Sequence, residues 1–404
     1  ASINVASPYV TTIFSIGVLF AIGSSTVMSI YRGANEERKM HEVFSMNTIT
    51  ISCVALCIAV LSFINSHHIT EFLGANSDVF NYTDTYIKML SCFSFFYIVS
   101  YCFEVLLKAD GFPQKSIMGI CLGAGTNLIL DPLFMGPLNM GIAGAALATG
   151  LSQLVTFCFF FYHFAFSHKS HFHFVKASYP WHEYSRILSL GLPDCISEIS
   201  PGIMITVFNY RINQLLGTNG LVTFTVLMYI YNLVLMVMVG TSQGTQPLVS
   251  FYYGRKDKKA VSTLHKYARI LVTGASVLLF LIVEVFAPNI TAAFIPKDTA
   301  NYFSTITALR QFSFVFLIMG HVVITSGYMV ALEEPRKAFV LSISRGILLV
   351  LLSLFICTTL FKENGIWISC TISETFCLAI ALYDLKTQKK NKYSKIKTLQ
   401  LESH

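Results

Sequence analysis

Apolar stretches of about 20 residues recur from one end of the chain to the other, each long enough to cross a bilayer as a helix. Inside hydrocarbon every backbone polar group must be satisfied within its own segment, so a chain built this way folds as a set of packed helices. Charge is too scarce for a soluble alternative. Only 12% of the residues are charged, about half the ~25% of an ordinary soluble protein. The expectation is an all-α, multi-pass membrane protein. The ten cysteines sit inside apolar runs without a Cys-x-x-Cys pair, which argues against a disulfide framework or a zinc site.

Polar breaks divide the apolar sequence into eleven candidate spans: Pro8–Tyr31, Val43–Ile64, Tyr86–Leu107, Ser116–Leu138, Gly141–Phe166, Ile187–Leu216, Gly220–Phe251, Leu264–Phe286, Ser304–Leu332, Ala338–Leu360 and Gly365–Tyr383. Alternate connections and the C-terminal tail carry most of the 28 Lys and Arg. By the positive-inside rule these loops and the tail are cytoplasmic. The net charge of +7 is therefore a topology signal, and no nucleic-acid partner is expected. Lys386, Lys389, Lys390, Lys392, Lys395 and Lys397 are expected to rest on anionic lipid headgroups. This orientation puts residue 1 outside, which suggests that a first helix is missing here and that the complete protein has twelve spans.

The sequence also repeats. Gly23-Ser-Ser-Thr-Val-Met-Ser-Ile-Tyr-Arg-Gly33 aligns with Gly244-Thr-Gln-Pro-Leu-Val-Ser-Phe-Tyr-Tyr-Gly254 at an offset of 221 residues. Ala109–Lys115 aligns with Ala331–Lys337 at 222, and Gly141-Ile142 with Gly365-Ile366 at 224. Matched pairs lie on the same predicted side, so the repeats are parallel, related by an axis along the membrane normal. The expected division is an N-terminal lobe over 1–166, a cytoplasmic linker over 167–186, a C-terminal lobe over 187–385 and a basic tail over 386–404.

Several segments resemble one family. Leu107-Lys-Ala-Asp-Gly-Phe-Pro113, Thr126-Asn-Leu-Ile-Leu-Asp-Pro132 and Asn139-Met-Gly-Ile-Ala-Gly-Ala-Ala-Leu-Ala-Thr149 are similar to the first lobe of the multidrug and toxic compound extrusion (MATE) transporters. Gly191-Leu-Pro193 with Glu198, then Gly240-Thr-Ser-Gln-Gly-Thr-Gln-Pro247, is similar to the start of the second lobe. Ser344-Arg-Gly346 and Gly365-Ile-Trp367 resemble its last two helices. The resemblance implies two helical bundles around a central cavity and antiport of organic compounds against Na⁺ or H⁺ by alternating access. It also implies a cell-membrane location. The family carries an acidic coupling residue on its first helix, so the cation site of this chain would be incomplete.

An ionisable residue inside a membrane helix is costly and marks a functional candidate. Asp131 lies about 10 Å from the outer end of its span, at 1.5 Å per residue. Asn127 is one turn away on the same face, and Thr149 lies at a similar depth on the next span. A carboxylate, an amide oxygen and a hydroxyl in one layer suit Na⁺, or the carboxylate can take a proton. The resemblance assigns these same three residues to the family's cation site. Against that stands a structural reading, in which Asp131 caps a helix broken at Pro132 while Asn127 and Thr149 join helices. Glu198, between Pro193 and Pro201, is a candidate cavity residue for cationic or amphiphilic substrates; alternatively it bonds backbone groups freed by the prolines.

Arg345 with Glu374, and Glu104 with Lys108, are expected to be structural pairs. Glu284 is expected to be solvated at an outer helix end. His163, His168, His171, His173 and His182 crowd the linker and are expected to form a solvated loop without a metal. The 34 Phe and 19 Tyr are expected to face mostly lipid, with Phe224, Tyr229 and Tyr231 as possible cavity walls. Other classes compete. A flippase for lipid-linked precursors would show more basic cavity residues. A membrane enzyme would need a nucleophile or metal motif, and neither a His-Glu-x-x-His nor a Gly-x-Ser-x-Gly motif nor a Walker loop occurs. The expected protein is not an enzyme, has no cofactor beyond its coupling ion, contacts membrane lipid and is a monomer.

Overall fold

The structure, a computed structural model, describes residues 2–176 and 181–401, with side chains described up to residue 387. Most of the basic tail lies outside the described side chains: of its lysines only Lys386 falls within them.

The described residues are helical almost throughout and contain no strand. The helices are α1 (Ser2–Gly33), α2 (Glu37–Ile64), α3 (Ser66–Phe72), α4 (Ser77–Asp110), α5 (Pro113–Met135), α6 (Gly141–Phe166), α7 (Trp181–Gly254), α8 (Lys258–Phe294), α9 (Asn301–Ser313), α10 (Phe316–Ala331), α11 (Pro335–Ile343), α12 (Leu349–Phe361) and α13 (Glu363–Leu401). A π-helical turn, Ser344–Leu348, joins α11 to α12. Among the described residues nine helical segments are long and apolar enough to cross a membrane, and α9 with α10 forms one more, bent by 41°. The 74 residues of α7 hold two of the expected spans, because Gly217 (φ 63°, ψ −155°) breaks the helix between them.

The repeat is visible in backbone hydrogen bonds. After α1, Asn35 adopts a left-handed φ of 58°, with Asn35 N–H donating to Arg32 O at 3.2 Å and Glu36 N–H to Tyr31 O at 2.9 Å. After α7, Lys256 has φ 60°, with Lys256 N–H donating to Tyr253 O at 2.9 Å and Asp257 N–H to Tyr252 O at 3.0 Å. Each atom pair is displaced by the offset of 221 read from the sequence. The second anchor behaves alike. Gly111 closes α4 and Pro113 opens α5, whereas Glu333 closes α10 and Pro335 opens α11. Proline suits the first helical turn because its missing N–H would have had no partner there.

Two compact units result. The first holds residues 1–199 and 246–261, and the second holds 200–245 and 262–404. In the first, α4 packs on α1, α2 and α6, and α5 packs on α6. Its core encloses Phe44, Phe103, Phe160 and Phe172 completely. In the second, Phe208, Phe224, Phe312 and Phe316 pack with Leu227, Leu309 and Met319. These rings are the buried minority of an aromatic set that is otherwise exposed or half-buried, with Phe72, Phe303, Tyr162 and Tyr383 among the most exposed. Van der Waals packing has to supply helix association where lipid is as apolar as the helices themselves, and large flat rings fill interhelical gaps well. Of the three aromatics considered as cavity walls, Phe224 stacks on Phe208 at 5.4 Å and Tyr231 meets Phe312 edge-on at 6.0 Å, whereas Tyr229 is exposed.

The expectation for the histidine-rich stretch is corrected. Helix α7 begins at Trp181 rather than near Ile187, and in the preceding stretch Phe172 and Ser170 are buried. Residues 177–180 lie outside the described set. His163 is buried at 3% exposure, its Nε2 2.8 Å from Asp110 Oδ2. His171 reaches the same carboxylate twice, through its backbone N–H at 2.8 Å and its Nδ1 at 3.0 Å. A buried carboxylate needs several donors, and the histidines supply them. Two of the five histidines are thus anchored rather than solvated. Glu284 is likewise not free in water: it accepts from Ser313 Oγ at 2.6 Å and lies 3.8 Å from Arg310.

Candidate functional site

The candidate cation layer lies in the first unit. Helices α5 and α6 are joined by a tight turn in which Met140 N–H donates to Phe134 O at 2.9 Å and Asn139 takes φ 48°. They approach closely where residues are small. A Cβ on Gly123 would lie 2.2 Å from Thr156 Oγ1, and one on Gly144 would lie 2.9 Å from Phe134 Cβ. These contacts set an antiparallel register. Between these contacts Asn127 lies level with Ser152, and Asp131 with residues 147–148, about a residue short of Thr149.

The polar atoms in this layer are under-satisfied. Asn127 Nδ2 and Asp131 Oδ1 are both buried and lack a hydrogen-bond partner. Helix α5 runs on through Pro132, so Asp131 does not stand at a helix end. Thr149 Oγ1 donates to Ala145 O at 3.0 Å, which uses its proton and leaves its lone pairs for another ligand. On α4, buried Tyr86 lies within electrostatic reach of Asp131. Buried polar groups are ordinarily hydrogen-bonded, so each orphan calls for a water or an ion. Oxygen-rich surroundings of this kind suit a hard cation. Among the described residues no group of three or more His, Cys, Asp or Glu is placed to hold a metal ion.

Glu198 lies on the first half of α7, within the first unit. The helix passes Pro193 and Pro201 without interruption. Glu198 is half-buried and acts electrostatically on Tyr97 of α4 and on Asp194 one turn before it. Asp194 escaped the sequence reading. Its Oδ2 is buried without a partner, and its spacing of four residues from Glu198 was the available signal. Asp110 escaped as well, although it stands inside the quoted Leu107–Pro113 segment.

Two further acids named from the sequence, Glu374 and Glu104, are paired. Arg345 Nε lies 2.6 Å from Glu374 Oε1 within the second unit, where both side chains are largely buried. Arg345 stands on the π-helical turn, whose wider winding lets Gly346 seat against Ser200, 2.2 Å from where a Cβ would lie. Lys108 Nζ lies 2.7 Å from Glu104 Oε1.

Known proteins give a consistent comparison. The MatE family model matches residues 1–133 and 193–359. Multidrug export protein MepA of Staphylococcus haemolyticus (strain JCSC1435) is 25% identical over 395 residues, covering 95% of this chain and 84% of that protein. MepA of Staphylococcus aureus (strain MRSA252) is 23% identical over 383 residues, with the same coverage. Among solved structures, MATE in complex with MaL6 superposes with a TM-score of 0.91 at 21% identity, over 96% of this chain and 89% of that one. The outward-facing conformation of a multidrug resistance MATE family transporter of the MOP superfamily gives 0.90 at 21% identity, over 96% and 88%.

Proposed function

Because the chain belongs to the MatE family, we propose that it is a secondary active efflux transporter that exchanges organic compounds for Na⁺ or H⁺ by alternating access. The observation that carries this reading is on α5: Asp131 Oδ1 is buried in a membrane-spanning helix with no hydrogen-bond partner. An unpaired carboxylate in that environment is expensive unless a cation or proton joins it. Asp131 is the charge-bearing ligand, Asn127 offers its amide oxygen and Thr149 its hydroxyl. A bound cation then favours whichever conformation holds these oxygens together, which is the requirement for coupling.

Glu198 is the substrate-side acid. With Asp194 one turn before it, it gives this stretch of α7 two carboxyl groups, which favour cationic or amphiphilic substrates. The lobes run over 1–166 and 187–385, related as parallel repeats, with the linker between them and the tail on the cytoplasmic side against lipid. The protein acts as a monomer in the cell membrane and transports rather than catalyses.

The test is efflux of ethidium from proteoliposomes, with the Na⁺ and pH gradients imposed separately. Efflux driven by one gradient and abolished by its collapse supports the antiporter reading and names the ion. Transport indifferent to both gradients refutes it.

A further inference from the structure

Helices α2 and α8 are equivalent under the repeat, since the turns at Asn35 and Lys256 that precede them stand 221 residues apart. At that offset Phe44 matches His265 and Thr48 matches Arg269. In the first unit this face of α2 is covered. Phe44 is completely buried, with the rings of Phe164, Phe172 and Phe174 centred 5.2, 5.7 and 4.8 Å away, and Val175 N–H donates to Ser45 Oγ at 2.8 Å. Phe172, Phe174 and Val175 belong to the stretch that follows α6. The counterpart of α6 is α13, which continues as a helix to Leu401 instead of laying an extended stretch over its own unit. The same face of α8 stays open among the described residues: His265 is half-buried, and Lys266, Tyr267 and Arg269 are exposed.

The open face carries charge where the covered one carries none. Arg269 lies five residues inside the expected span Leu264–Phe286, about 7.5 Å below its end at 1.5 Å per residue. It forms no ion pair among the described residues, unlike Arg310 and Arg345 of the same unit. His321 of α10 stands within electrostatic reach of Arg269, its Nε2 3.4 Å from Thr273 Oγ1, one turn further along α8. Lys266 is one turn back toward the helix start. A cation at this depth is costly without an anion, and an arginine this near the interface extends its guanidinium to the headgroup layer.

Beyond Arg269 the same helical stripe turns apolar. Thr273, Val277 and Leu281 follow it at intervals of four, and all three are exposed. One face of α8 thus presents cations at headgroup depth and an apolar track leading from them into the bilayer. These are the complements of the two parts of a phospholipid. A small free anion would meet the first and leave the second uncovered. The first unit has no such face, because a hydroxyl, Thr48, stands where the second unit has Arg269.

We propose that this face of α8 is a binding site for an anionic phospholipid of the leaflet on the basic-loop side: Arg269 holds the phosphate, Lys266 and His321 flank it, and an acyl chain lies along Val277 and Leu281. The site is separate from the candidate cation layer, and its test does not require transport. Purified full-length protein in detergent is titrated with phosphatidylglycerol or phosphatidylcholine, and the first lipid bound is followed by native mass spectrometry. Wild-type protein binds phosphatidylglycerol about tenfold more tightly, because a charge-assisted contact holds a lipid whose net charge is negative. Arg269→Gln lowers phosphatidylglycerol binding to the phosphatidylcholine level, whereas Arg269→Lys keeps part of the preference. Lys297→Gln, on the connection at the far end of α8, leaves it unchanged. Equal affinity of wild-type protein for the two lipids overturns the site, as does an undiminished preference in folded Arg269→Gln protein. If Arg269→Gln does not fold, the wild-type comparison and a wash in concentrated inorganic phosphate decide: phosphatidylglycerol stays bound through the wash, and its displacement by phosphate overturns the lipid assignment in favour of a free anion. Selective lipid binding in protein that shows no gradient-driven efflux upholds the site and removes the antiporter reading instead.

Discussion

His163 and Asp110 meet through Nε2 and Oδ2 at 2.8 Å, with both side chains almost wholly buried. Lys115 Nζ closes on the other ring nitrogen, Nδ1, at 2.7 Å. An ammonium group can only donate, so Nδ1 accepts and the ring proton sits on Nε2, facing the carboxylate. One buried acid from the end of α4 thereby ties α5, α6 and the stretch after α6 together, and His171 extends the tie to Arg32 Nη2 at 3.2 Å.

Removing that acid should be costly. Asp110→Ala leaves His163 and the His171 backbone N–H without their acceptor, and breaking a buried charged network costs about 3–5 kcal/mol. The expected outcome is a lower thermal midpoint in detergent, with faster proteolysis within residues 167–176. An unchanged midpoint together with an intact 167–176 segment would contradict the anchoring role.

Asp131→Asn in the protein should abolish gradient-driven efflux while expression and membrane insertion survive, since a neutral amide costs less in the bilayer than a carboxylate. Equilibrium binding of drug, measured by ethidium fluorescence on purified protein, should change less than efflux does. Full gradient-driven efflux by the variant would move the coupling role to Glu198.

Glu198→Gln tests substrate charge. Loss of the negative charge should weaken binding of an organic cation by about tenfold, or roughly 1.4 kcal/mol, and leave a neutral amphiphile of similar size unaffected. The comparison is made by titrating both ligands into wild-type and variant protein. Equal losses for both ligands point to a packing role instead.

Arg345 and Glu374 should behave as one unit. Arg345→Met or Glu374→Met strands a buried charge and should destabilise by about 3–5 kcal/mol, whereas the double replacement should recover most of that loss. Midpoints of thermal unfolding for the four proteins provide the cycle. Additive single effects would show that the 2.6 Å contact carries no coupling.

Much of the architecture follows from local sequence. Twenty-residue apolar runs dictate helices because hydrocarbon leaves the backbone no other partner. The offset of 221 between Gly23–Gly33 and Gly244–Gly254 predicts the matching turns at Asn35 and Lys256, since the same helix-ending residues meet the same short-range hydrogen bonds. The spacing of Asn127 and Asp131 puts them on one helical face, and the family resemblance picks out Thr149. Tertiary structure decided what spacing cannot express. It buried His163 against Asp110 and tied the exposed His171 to the same carboxylate, where composition suggested a wet loop, because a carboxylate from a helix 53 residues earlier had to be satisfied. It turned phenylalanines such as Phe44 and Phe103 inward, because packing depends on which helices become neighbours. It also set Gly33 against Phe251 and Gly254 against Ile30. In the sequence these glycines mark the edges of a repeat; the close approach of two backbones, a distance between elements far apart in the chain, makes them a seam.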